Sequence, residues 1–384
     1  MTHTLPPGWE EKTLGEVCEI ERGGSPRPIK SYLTTAPTGL NWIKIGDTSP
    51  NSKYIYSVKE KIRPEGLAKS RWVQEGDFLL SNSMSFGRPY ILKTNGCIHD
   101  GWLVLKQYQS NLQCDFLYYL LSSPFVQKQF QQSAQGSTVR NLNTQRVAKI
   151  IIPIPPLLEQ KRIVGKLNKI FAAIDKAKSQ TEKNLQNAKD VFSSYLNNIF
   201  NHPAHNWEEK KLGELCDVLD FRRKPITRKD RTRGLYPYYG ATGIVDFIDS
   251  FLFDEPLLLV GEDGARWGSG EPCAFIASGK YWVNNHAHVL KPKNCMSMQY
   301  LVYFLNYSDL TPYITGTTVL KLNQQKLRSI SVPSPSLPEQ KRIVEKLDVL
   351  QSKTQELEKI YTQKLKDLEE LKQAVLQQAF SGKL

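Results

Sequence analysis

Glu159-Gln-Lys-Arg-Ile-Val164 occurs a second time, letter for letter, as Glu339-Gln-Lys-Arg-Ile-Val344. The two copies lie 180 residues apart, and Gly136-Ser-Thr-Val139 matches Gly316-Thr-Thr-Val319 at the same distance. A long stretch that returns at a fixed distance is the mark of one structural unit present twice. The chain therefore contains an internal repeat.

The two copies also share their beginning. Trp9-Glu-Glu-Lys-Thr-Leu-Gly-Glu-Val-Cys18 returns as Trp207-Glu-Glu-Lys-Lys-Leu-Gly-Glu-Leu-Cys216, 198 residues later, so the second copy is 18 residues shorter. Between the shared ends, apolar and aromatic runs alternate with Gly, Pro, Asn and Asp, which predicts strands and turns with short helices near residues 115–123 and 299–306. We expect each copy to be a mixed α/β domain with a shared scaffold and its own loops.

Each copy ends in a segment of 44 residues, from Leu157 to Phe200 and from Leu337 to Phe380. Prolines precede both segments. Apart from Pro338 at the start of the second, neither segment contains a proline, as expected of long helices, since proline breaks a helix interior. Apolar residues recur at spacings of three and four, which predicts one coiled-coil seam along each helix. The predicted seam residues are Ile163, Leu167, Ile170, Ile174, Ala177, Leu185, Ala188, Phe192, Tyr195 and Ile199, then Ile343, Leu347, Leu350, Leu357, Tyr361, Leu365, Leu368, Val375 and Ala379.

The predicted fold class is α/β (mixed α+β): two globular domains separated by two long antiparallel coiled-coil helices, in a pseudo-two-fold internal repeat. The expected boundaries are residues 1–156 for the first domain, 157–201 for the first helix, 202–336 for the second domain and 337–384 for the second helix. At about 1.5 Å per residue each helix would extend roughly 66 Å, about two turns of B-DNA. A simple dimerisation coiled coil is the alternative; equal lengths with a folded unit ahead of each helix argue against it.

The 384 residues carry 51 Lys and Arg against 38 Asp and Glu, a formal net charge of +13. This balance favours a polyanionic partner, nucleic acid first, although many other proteins are basic. The six cysteines are scattered without a CxxC pair, so neither a zinc ribbon nor a disulfide framework is indicated. Without an apolar run of 18 residues or a secretory signal pattern, we expect a cytoplasmic protein.

The sequence shows no catalytic constellation. It has neither a GxxxxGK[ST] phosphate loop nor a glycine-rich fingerprint for a nucleotide or methyl donor. His286-x-His288 puts two side chains on one face of a predicted strand, but no carboxylate or cysteine at metal-site spacing accompanies it, so no metal is expected. Gly261-Glu-Asp-Gly264 fits a tight turn. We expect neither a catalytic residue nor a cofactor in this chain.

Basic residues cluster at one point of each copy. Arg222-Arg-Lys-Pro-Ile-Thr-Arg-Lys-Asp-Arg-Thr-Arg233 carries seven cations and one acid, and its counterpart, Arg22 to Lys30, is shorter, glycine-rich and also basic. A solvated loop would explain either stretch alone, but their shared position after the first strand of a copy favours contacts with phosphates. The candidates are Arg22, Ser25, Arg27 and Lys30, then Arg222, Arg223, Lys224, Arg228, Lys229, Arg231 and Arg233.

Further polar loops follow other predicted strands. Ser81 to Arg88 and Glu262 to Trp267 each contain an arginine suited to bidentate contact with guanine, and the Gly-Thr loops near 136 and 316 offer hydroxyls and a cation for phosphate. For any single residue a purely structural role is an equal alternative. The additional DNA-binding candidates are Lys44, Ser81, Asn82, Ser83, Ser85, Arg88, Arg140, Arg266, Asn284, Asn285 and Lys321.

Several motifs together resemble one known family. They are Pro156 to Leu167 with its copy Leu337 to Leu347, Gly-[Ser/Thr]-Thr at 136 and 316, Tyr238-Tyr-Gly-Ala-Thr-Gly243, Tyr281-Trp-Val-Asn-Asn-His286 and Ala379-Phe-Ser-Gly-Lys-Leu384. Spread over essentially the whole chain, they resemble the specificity subunit of type I restriction-modification systems. The resemblance implies a non-catalytic DNA-binding subunit with two target-recognition domains. Each domain would read one half of a bipartite site, and the helices would set the gap between the halves.

The resemblance also implies partners. These are double-stranded DNA, two modification (methylase) subunits that carry S-adenosylmethionine and the N6-adenine methylation chemistry, and optional restriction-translocase subunits. Candidates for docking the methylase, on helix faces away from the seam, are Glu159, Gln160, Arg162, Glu339, Gln340 and Arg342. Two other functions stay open from the residues alone: a self-sufficient DNA methyltransferase or nuclease, and a coiled-coil scaffold that binds only proteins.

Overall fold

The computed structural model describes residues 5–49, 52–82, 86–108, 110, 112–133, 142–202 and 204–384. The chain divides into two compact units. Unit 1 comprises Met1–Gln180 and Lys364–Leu384, and unit 2 comprises Thr181–Gln363. Both dividing points fall inside the long helices, so each unit contains part of both. Among the described residues, every helix falls short of the length and apolarity that a membrane span requires.

The strands of unit 1 are short. They are β1 (Glu10–Thr13), β2 (Glu19–Arg22), β3 (Leu33–Thr34), β4 (Leu40–Ile43), β5 (Tyr54–Ile55), β6 (Glu60–Ile62), β7 (Arg71–Val73), β8 (Phe78–Ser81), β9 (Pro89–Leu92), β10 (Gly96–Ile98), β11 (Trp102–Lys106) and β12 (Ile151–Ile154). Its helices are α1 (Leu14–Val17), α2 (Cys114–Ser122), α3 (Pro124–Ser133), α4 (Thr144–Ala148) and the first part of α5 (Leu157–Asn201).

Two five-stranded sheets form the body of unit 1, in the orders β2-β11-β8-β9-β5 and β3-β6-β4-β10-β7, and β1 pairs with β12 apart from them. The central strands are buried on both faces because alternate side chains enter different layers. Phe78 and Leu80 join the larger core with Leu103, whereas Leu79 joins the smaller core with Val104. The sheet is therefore held between two apolar layers.

Unit 2 repeats this plan with fewer strands. They are β13 (Glu208–Lys211), β14 (Cys216–Val218), β15 (Arg233–Gly240), β16 (Gly243–Ile248), β17 (Phe253–Asp254), β18 (Leu257–Gly261), β19 (Ala274–Ala277), β20 (Lys280–Val283), β21 (Ala287–Pro292) and β22 (Ser331–Ser334). Its helices are α6 (Leu212–Leu215), α7 (Met298–Tyr307), α8 (Gln324–Ser329) and α9 (Leu337–Phe380), the last of which ends in unit 1.

The sheet orders show the repeat directly. The order β14-β21-β18-β19 in unit 2 corresponds to β2-β11-β8-β9 in unit 1, and β13 pairs with β22 as β1 pairs with β12. Glu10 lies opposite Ile154 and Glu208 opposite Ser334, so even the register of this pair agrees. The sheet β16-β15-β20-β17 of unit 2 takes the place of the second five-stranded sheet. The copies thus share a scaffold and differ in one layer.

The long helices have 45 residues in α5 and 44 in α9. In unit 1 they run antiparallel: Arg162 donates to the carbonyl of Leu384, whereas Lys372, earlier in α9, lies 3.7 Å from Asp175 and over the ring of Phe171, later in α5. In unit 2 the helices share the domain core through Phe192, Leu196 and Phe200 of α5 with Ile343 and Leu347 of α9.

The seam of α5 departs from the predicted one toward its end. Leu196 and Phe200 are buried, at 1% and 7% exposed, while the predicted Tyr195 and Ile199 are only partly buried. Steps of four from Ala188 through Phe192 lead to Leu196 and Phe200, and a row of fours stays close to one face of a 3.6-residue helix. The packing therefore follows this row, one residue beyond the predicted positions.

Candidate nucleic-acid interface

Loops at the ends of strands meet in unit 2 around a group of buried charges. We call this group loop cluster 2, formed by residues 220–224, 262–263, 284–288 and 315–322. Glu262 connects three of the segments: its N–H donates to the carbonyl of His286 (2.8 Å), its carbonyl accepts from Leu322 N–H (2.8 Å), and its carboxylate lies 2.7 Å from Lys321 Nζ. The four segments are joined by hydrogen bonds and ion pairs.

His288 lies at the centre of loop cluster 2 and is fully buried. Its Nδ1 is 2.6 Å from Asp220 Oδ2 and its Nε2 is 2.7 Å from the carbonyl of Leu322. A carboxylate and a carbonyl only accept, so both contacts are satisfied when both ring nitrogens carry a proton. Burial alone would raise the pKa of Asp220, but the His288 hydrogen bond and charge, the Val289 N–H and Arg223 lower that pKa below its ordinary value.

Arg223 completes the network from the basic loop. Its side chain is 14% exposed, with Nη1 2.5 Å from Glu262 and Nη2 3.4 Å from Asp220, and Nη1 also donates to the carbonyl of Ala287 (2.8 Å). From the sequence, Arg223 is expected to contact DNA. In the structure its guanidinium is enclosed, because two buried carboxylates need a counter-charge and five fixed donors suit that task.

Asp220, Glu262 and His288 each place one possible metal ligand within 4.8 Å of the others. The expectation that no carboxylate accompanies His288 was therefore wrong: the fold brings in two from distant segments. Among the described residues, Arg223 and Lys321 already neutralise these carboxylates. We interpret the group as an ion-pair network that holds the loops in place.

Unit 1 has an equivalent loop cluster 1, formed by residues 22–30, 81–82, 99–101 and 142. Asp100 is its centre: its carboxylate accepts from Ser25 Oγ (2.6 Å) and lies 3.6 Å from Arg27, and its carbonyl accepts from Arg22 (3.1 Å) and Asn82 (2.9 Å). The Ser25 hydrogen bond, aided by the charges of His99 and Arg27, lowers the pKa of Asp100 despite partial burial.

The two clusters share a backbone frame but not their side chains. Leu142 N–H donates to the carbonyl of Asn82 (3.1 Å) as Leu322 N–H donates to that of Glu262. Within this frame, unit 1 has the neutral amide of Asn82 at the position where unit 2 has the buried carboxylate of Glu262. The frame is constant, and the chemistry that it presents differs between the units.

The other predicted DNA-binding residues fall into two groups. Several are tied to neighbours: Arg222 to Glu255 (3.1 Å), Arg231 to Asp246 (3.0 Å) and Lys44 to Glu60 (2.5 Å). Ser81, Asn82 and Asn284 are buried, Arg88 lies over the ring of Tyr90, and Ser83, Ser85 and Arg140 lie outside the described residues. The exposed members are Arg22, Arg27, Lys30, Lys224, Arg228, Lys229, Arg233, Arg266 and Asn285.

Four exposed cations of unit 2 are distinct within this set. Lys224, Arg228, Lys229 and Arg233 form no ion pair with any carboxylate in the part of the chain that the structure describes. The sequence alone does not distinguish them from the tied arginines. The roles of Asp100 and Asp220 in the loop clusters were not predicted either, although an isolated acid just before or opposite a basic loop is a signal for such a role.

The residues of the repeated Glu-Gln-Lys-Arg motif differ in burial: the glutamate and arginine are at the surface, and the glutamine is buried. Glu159 pairs with Arg162 and Glu339 with Arg342 on the surface, both at 2.6 Å. The expected exposed position of Gln160 and Gln340 was wrong, because both are fully buried. Helix periodicity puts them on the face that meets the domain.

Each buried glutamine joins three segments through main-chain atoms. Gln160 donates to the carbonyl of Pro155 (2.9 Å) and accepts from the N–H of Gln113, which precedes α2 (2.9 Å). Gln340 donates to the carbonyl of Pro335 (2.8 Å) and accepts from Ser297 N–H, which precedes α7 (2.7 Å). The same three-way connection therefore attaches each long helix to its own domain.

Replacing Gln160 with Leu should lower the free energy of unfolding of unit 1 by about 2 kcal/mol, because two buried main-chain groups lose their partner. Hydrogen exchange of α2 peptides in increasing urea measures this loss, with unit 2 peptides as the internal reference. The neighbouring exposed Lys161→Leu is the control and should change stability by less than about 0.5 kcal/mol. Equal effects of the two substitutions would contradict the connection.

The sequence model of one family, described as the type I restriction modification DNA specificity domain, matches residues 6–187 and 204–367. The chain belongs to this family. The two matched stretches agree with the two halves of the repeat, and the predicted fold class of two target-recognition domains with a pair of long helices is confirmed.

Relatives in this specificity family cover the chain to different extents. The chain is 21% identical to the type I restriction enzyme EcoprrI specificity subunit of Escherichia coli, over 90% of this chain and 89% of that one. It is 34% identical to the type I restriction enzyme specificity subunit S.HindORF215P of Haemophilus influenzae. That match is shorter and covers 39% of this chain and 38% of that one. A chain solved to explain complex assembly and conformational transition of the type I R-M system matches with a TM-score of 0.80 and 22% identity, covering 99% of this chain and 100% of that one.

Proposed function

We propose that this chain is the DNA-reading specificity subunit of a cytoplasmic type I restriction-modification complex, with one half of a bipartite target read by each unit. The observation that carries the proposal is the pair of loop clusters. Both present exposed cations from a loop held on the same backbone frame, and both vary the side chains within that frame. Phosphate contacts position such a protein, and different side chains give each unit its own base preference.

The long helices are proposed to set the gap between the two halves of the target and to dock two methylase subunits. Support for docking comes from unit 2, where α5 and α9 border an apolar groove of about 1090 Å³. Val191 and Val349 in this groove are 50% and 54% exposed, an unusual exposure for two neighbouring aliphatic side chains. Glu159, Arg162, Glu339 and Arg342 remain proposed docking residues on the helix surfaces.

The chain is proposed to be non-catalytic. The carboxylates Asp100, Asp220 and Glu262 of the two loop clusters each have partners among the described residues, so these groups position loops and offer no poised nucleophile or base. The methyl transfer, with its S-adenosylmethionine, would then belong to the methylase subunits. A self-sufficient methyltransferase or nuclease, or a scaffold that binds only proteins, would need a different result in the experiment below.

The test is methylation of random-sequence DNA by the chain assembled with its methylase partner, read by methylation-sensitive sequencing. We expect one motif made of two short blocks separated by a fixed gap. Inserting four alanines in each helix, after Thr181 and after Tyr361, should keep both blocks and change the gap by about two base pairs, since four helical residues rise about 6 Å. The control substitutes four existing exposed residues at the same levels with alanine and should leave the gap unchanged.

A single-block motif, or methylation without sequence preference, would reject the DNA-reading proposal. An unchanged gap in the insertion variant would reject the spacer role alone. Methylation or cleavage by the isolated chain would instead support the self-sufficient enzyme.

A further inference from the structure

Phe221 is a large aromatic side chain that is 82% exposed, at the centre of a single 3-10 turn, Asp220–Arg222. Isolated exposed apolar residues are common on protein surfaces and need no explanation by themselves. Phe221 differs from such residues in two respects: its two neighbours in the chain are held by side-chain contacts, and its loop also carries an exposed cation.

Both flanking residues are held in place by side-chain contacts. Asp220 is bound by His288 and by Gln324, which donates to it at 3.1 Å, and Arg222 pairs with Glu255 and lies 4.6 Å over the ring of Phe253. The backbone turn is closed by Arg222 N–H bonding to the carbonyl of Leu219 (2.9 Å). With both neighbours fixed, the Phe221 ring is presented outward in a preorganised position.

Phe221 shares loop cluster 2 with two cations that are exposed or partly exposed. Lys224 follows it on the same loop and is exposed, and Lys321 belongs to the adjoining segment of loop cluster 2. Exposed Val319 and Leu320, at 64% and 55%, lie in that same segment. An exposed aromatic side chain on a loop that also carries an exposed cation, Lys224, fits a polyanion with stacked aromatic rings inside, which is the description of duplex DNA.

The repeat gives unit 1 a glycine at the position of Phe221. The position that matches Phe221 in the repeat is Gly23, where a Cβ atom would lie 2.2 Å from the carbonyl of His99. That backbone atom cannot retreat without disturbing loop cluster 1, so unit 1 excludes a side chain at this point. At this position of the repeat, unit 2 therefore carries an exposed aromatic ring and unit 1 does not.

We propose that Phe221 inserts its ring between two base pairs in the half-site read by unit 2 and locally unstacks that step. This inference rests on the proposed DNA-reading function and adds to it a deformation that only one half-site undergoes. Pyrimidine–purine steps open most easily, so we expect one at the point of insertion. Insertion of Phe221 would thus make binding depend on how easily the DNA step deforms, a property that hydrogen bonding to base edges does not test.

The experiment uses the chain assembled with its methylase partner and duplexes carrying the bipartite sequence found above. 2-Aminopurine is placed in turn at each purine position except the methylated adenine, and its fluorescence reports unstacking. We expect a rise at one step in the half-site of unit 2, with no counterpart in that of unit 1. Phe221→Ala should abolish the rise and weaken binding about tenfold, the usual order for losing one aromatic–base stack. Phe221→Trp should preserve both.

Leu235→Ala is the matched control, because Leu235 is an apolar side chain of the same unit that is 88% exposed. It should keep the fluorescence rise. Three results would overturn the insertion of Phe221 and leave the DNA-reading proposal intact. They are sequence-specific binding without an unstacked step, a fluorescence rise that survives Phe221→Ala, and a rise that is lost in Leu235→Ala. Loss of methylase assembly in Phe221→Ala would assign the residue to a protein contact and also overturn the insertion. Failure of the wild-type complex to bind any DNA would reject the proposed function itself.

Discussion

Arg223→Met is expected to lower the free energy of unfolding of unit 2 by about 3 to 5 kcal/mol, the usual cost of removing one partner from a buried ion pair. Glu262, with a side chain only 8% exposed, would keep Lys321 but lose the Arg223 guanidinium, and the carbonyl of Ala287 would lose its donor. The loss should appear as faster hydrogen exchange of peptides from β18 and β21 in increasing urea, with unit 1 peptides unchanged.

Two variants identify the cause. Arg222→Met removes an arginine from the next position, but its pair with Glu255 is one-third exposed on both sides, so the expected change is below about 1 kcal/mol. The double variant Arg223→Met, Glu262→Gln also removes the Glu262 charge that Arg223 had balanced, and it should recover part of the stability. If Arg222→Met and Arg223→Met had equal effects, the network in loop cluster 2 would not be holding the loops.

Neutralising the four unpaired cations Lys224, Arg228, Lys229 and Arg233 to Gln should weaken DNA binding of the methylase complex by on the order of 100-fold near physiological salt. The slope of log affinity against log salt should become shallower by roughly 3 to 4, since each phosphate contact contributes about 0.9. Protein stability should hardly change, because all four side chains are exposed and none forms an ion pair with a carboxylate among the described residues.

Exchanging Lys for Arg and Arg for Lys at the same four positions keeps the charge and is the matched control. It should leave the salt slope nearly unchanged, since phosphate attraction depends mainly on charge. Titrations by fluorescence anisotropy at four salt concentrations would measure both quantities. An unaltered slope in the neutralised variant would show that this loop does not face the phosphates.

The long helices and the duplicated domains were predictable because their signals are local and repeated. Proline-free apolar periodicity defines α5 and α9 to within one residue, and identical segments reveal the second domain. The seam was predicted less well: Leu196 and Phe200 are buried where Tyr195 and Ile199 were expected. Adjacent apolar residues on a helix give periodicity two nearly equal choices, and only the packed domain decides between them.

The loop clusters were not predictable in the same way. Arg223 and Lys229 are similar as letters in one basic stretch, yet Arg223 is enclosed by carboxylates and Lys229 is exposed. The difference depends on Glu262, 39 positions away, and on the strands that bring it near. Gln160 shows the same limit, because glutamine is usually a surface residue and its burial follows from backbone groups that no sequence pattern displays.

The two buried glutamines have a consequence for how such a protein can evolve. The bonds described above join each amide to main-chain carbonyl and N–H groups, so a domain whose backbone follows the same path at these points can make the same bonds. Tyr119 and Tyr303 of the domains also bond the helices, at Asn168 and Asp348. Domain side chains that lie away from the helix and outside the core are then free to diverge. Under the proposed function, the same helix could therefore carry a domain with a different DNA target and keep these attachment bonds.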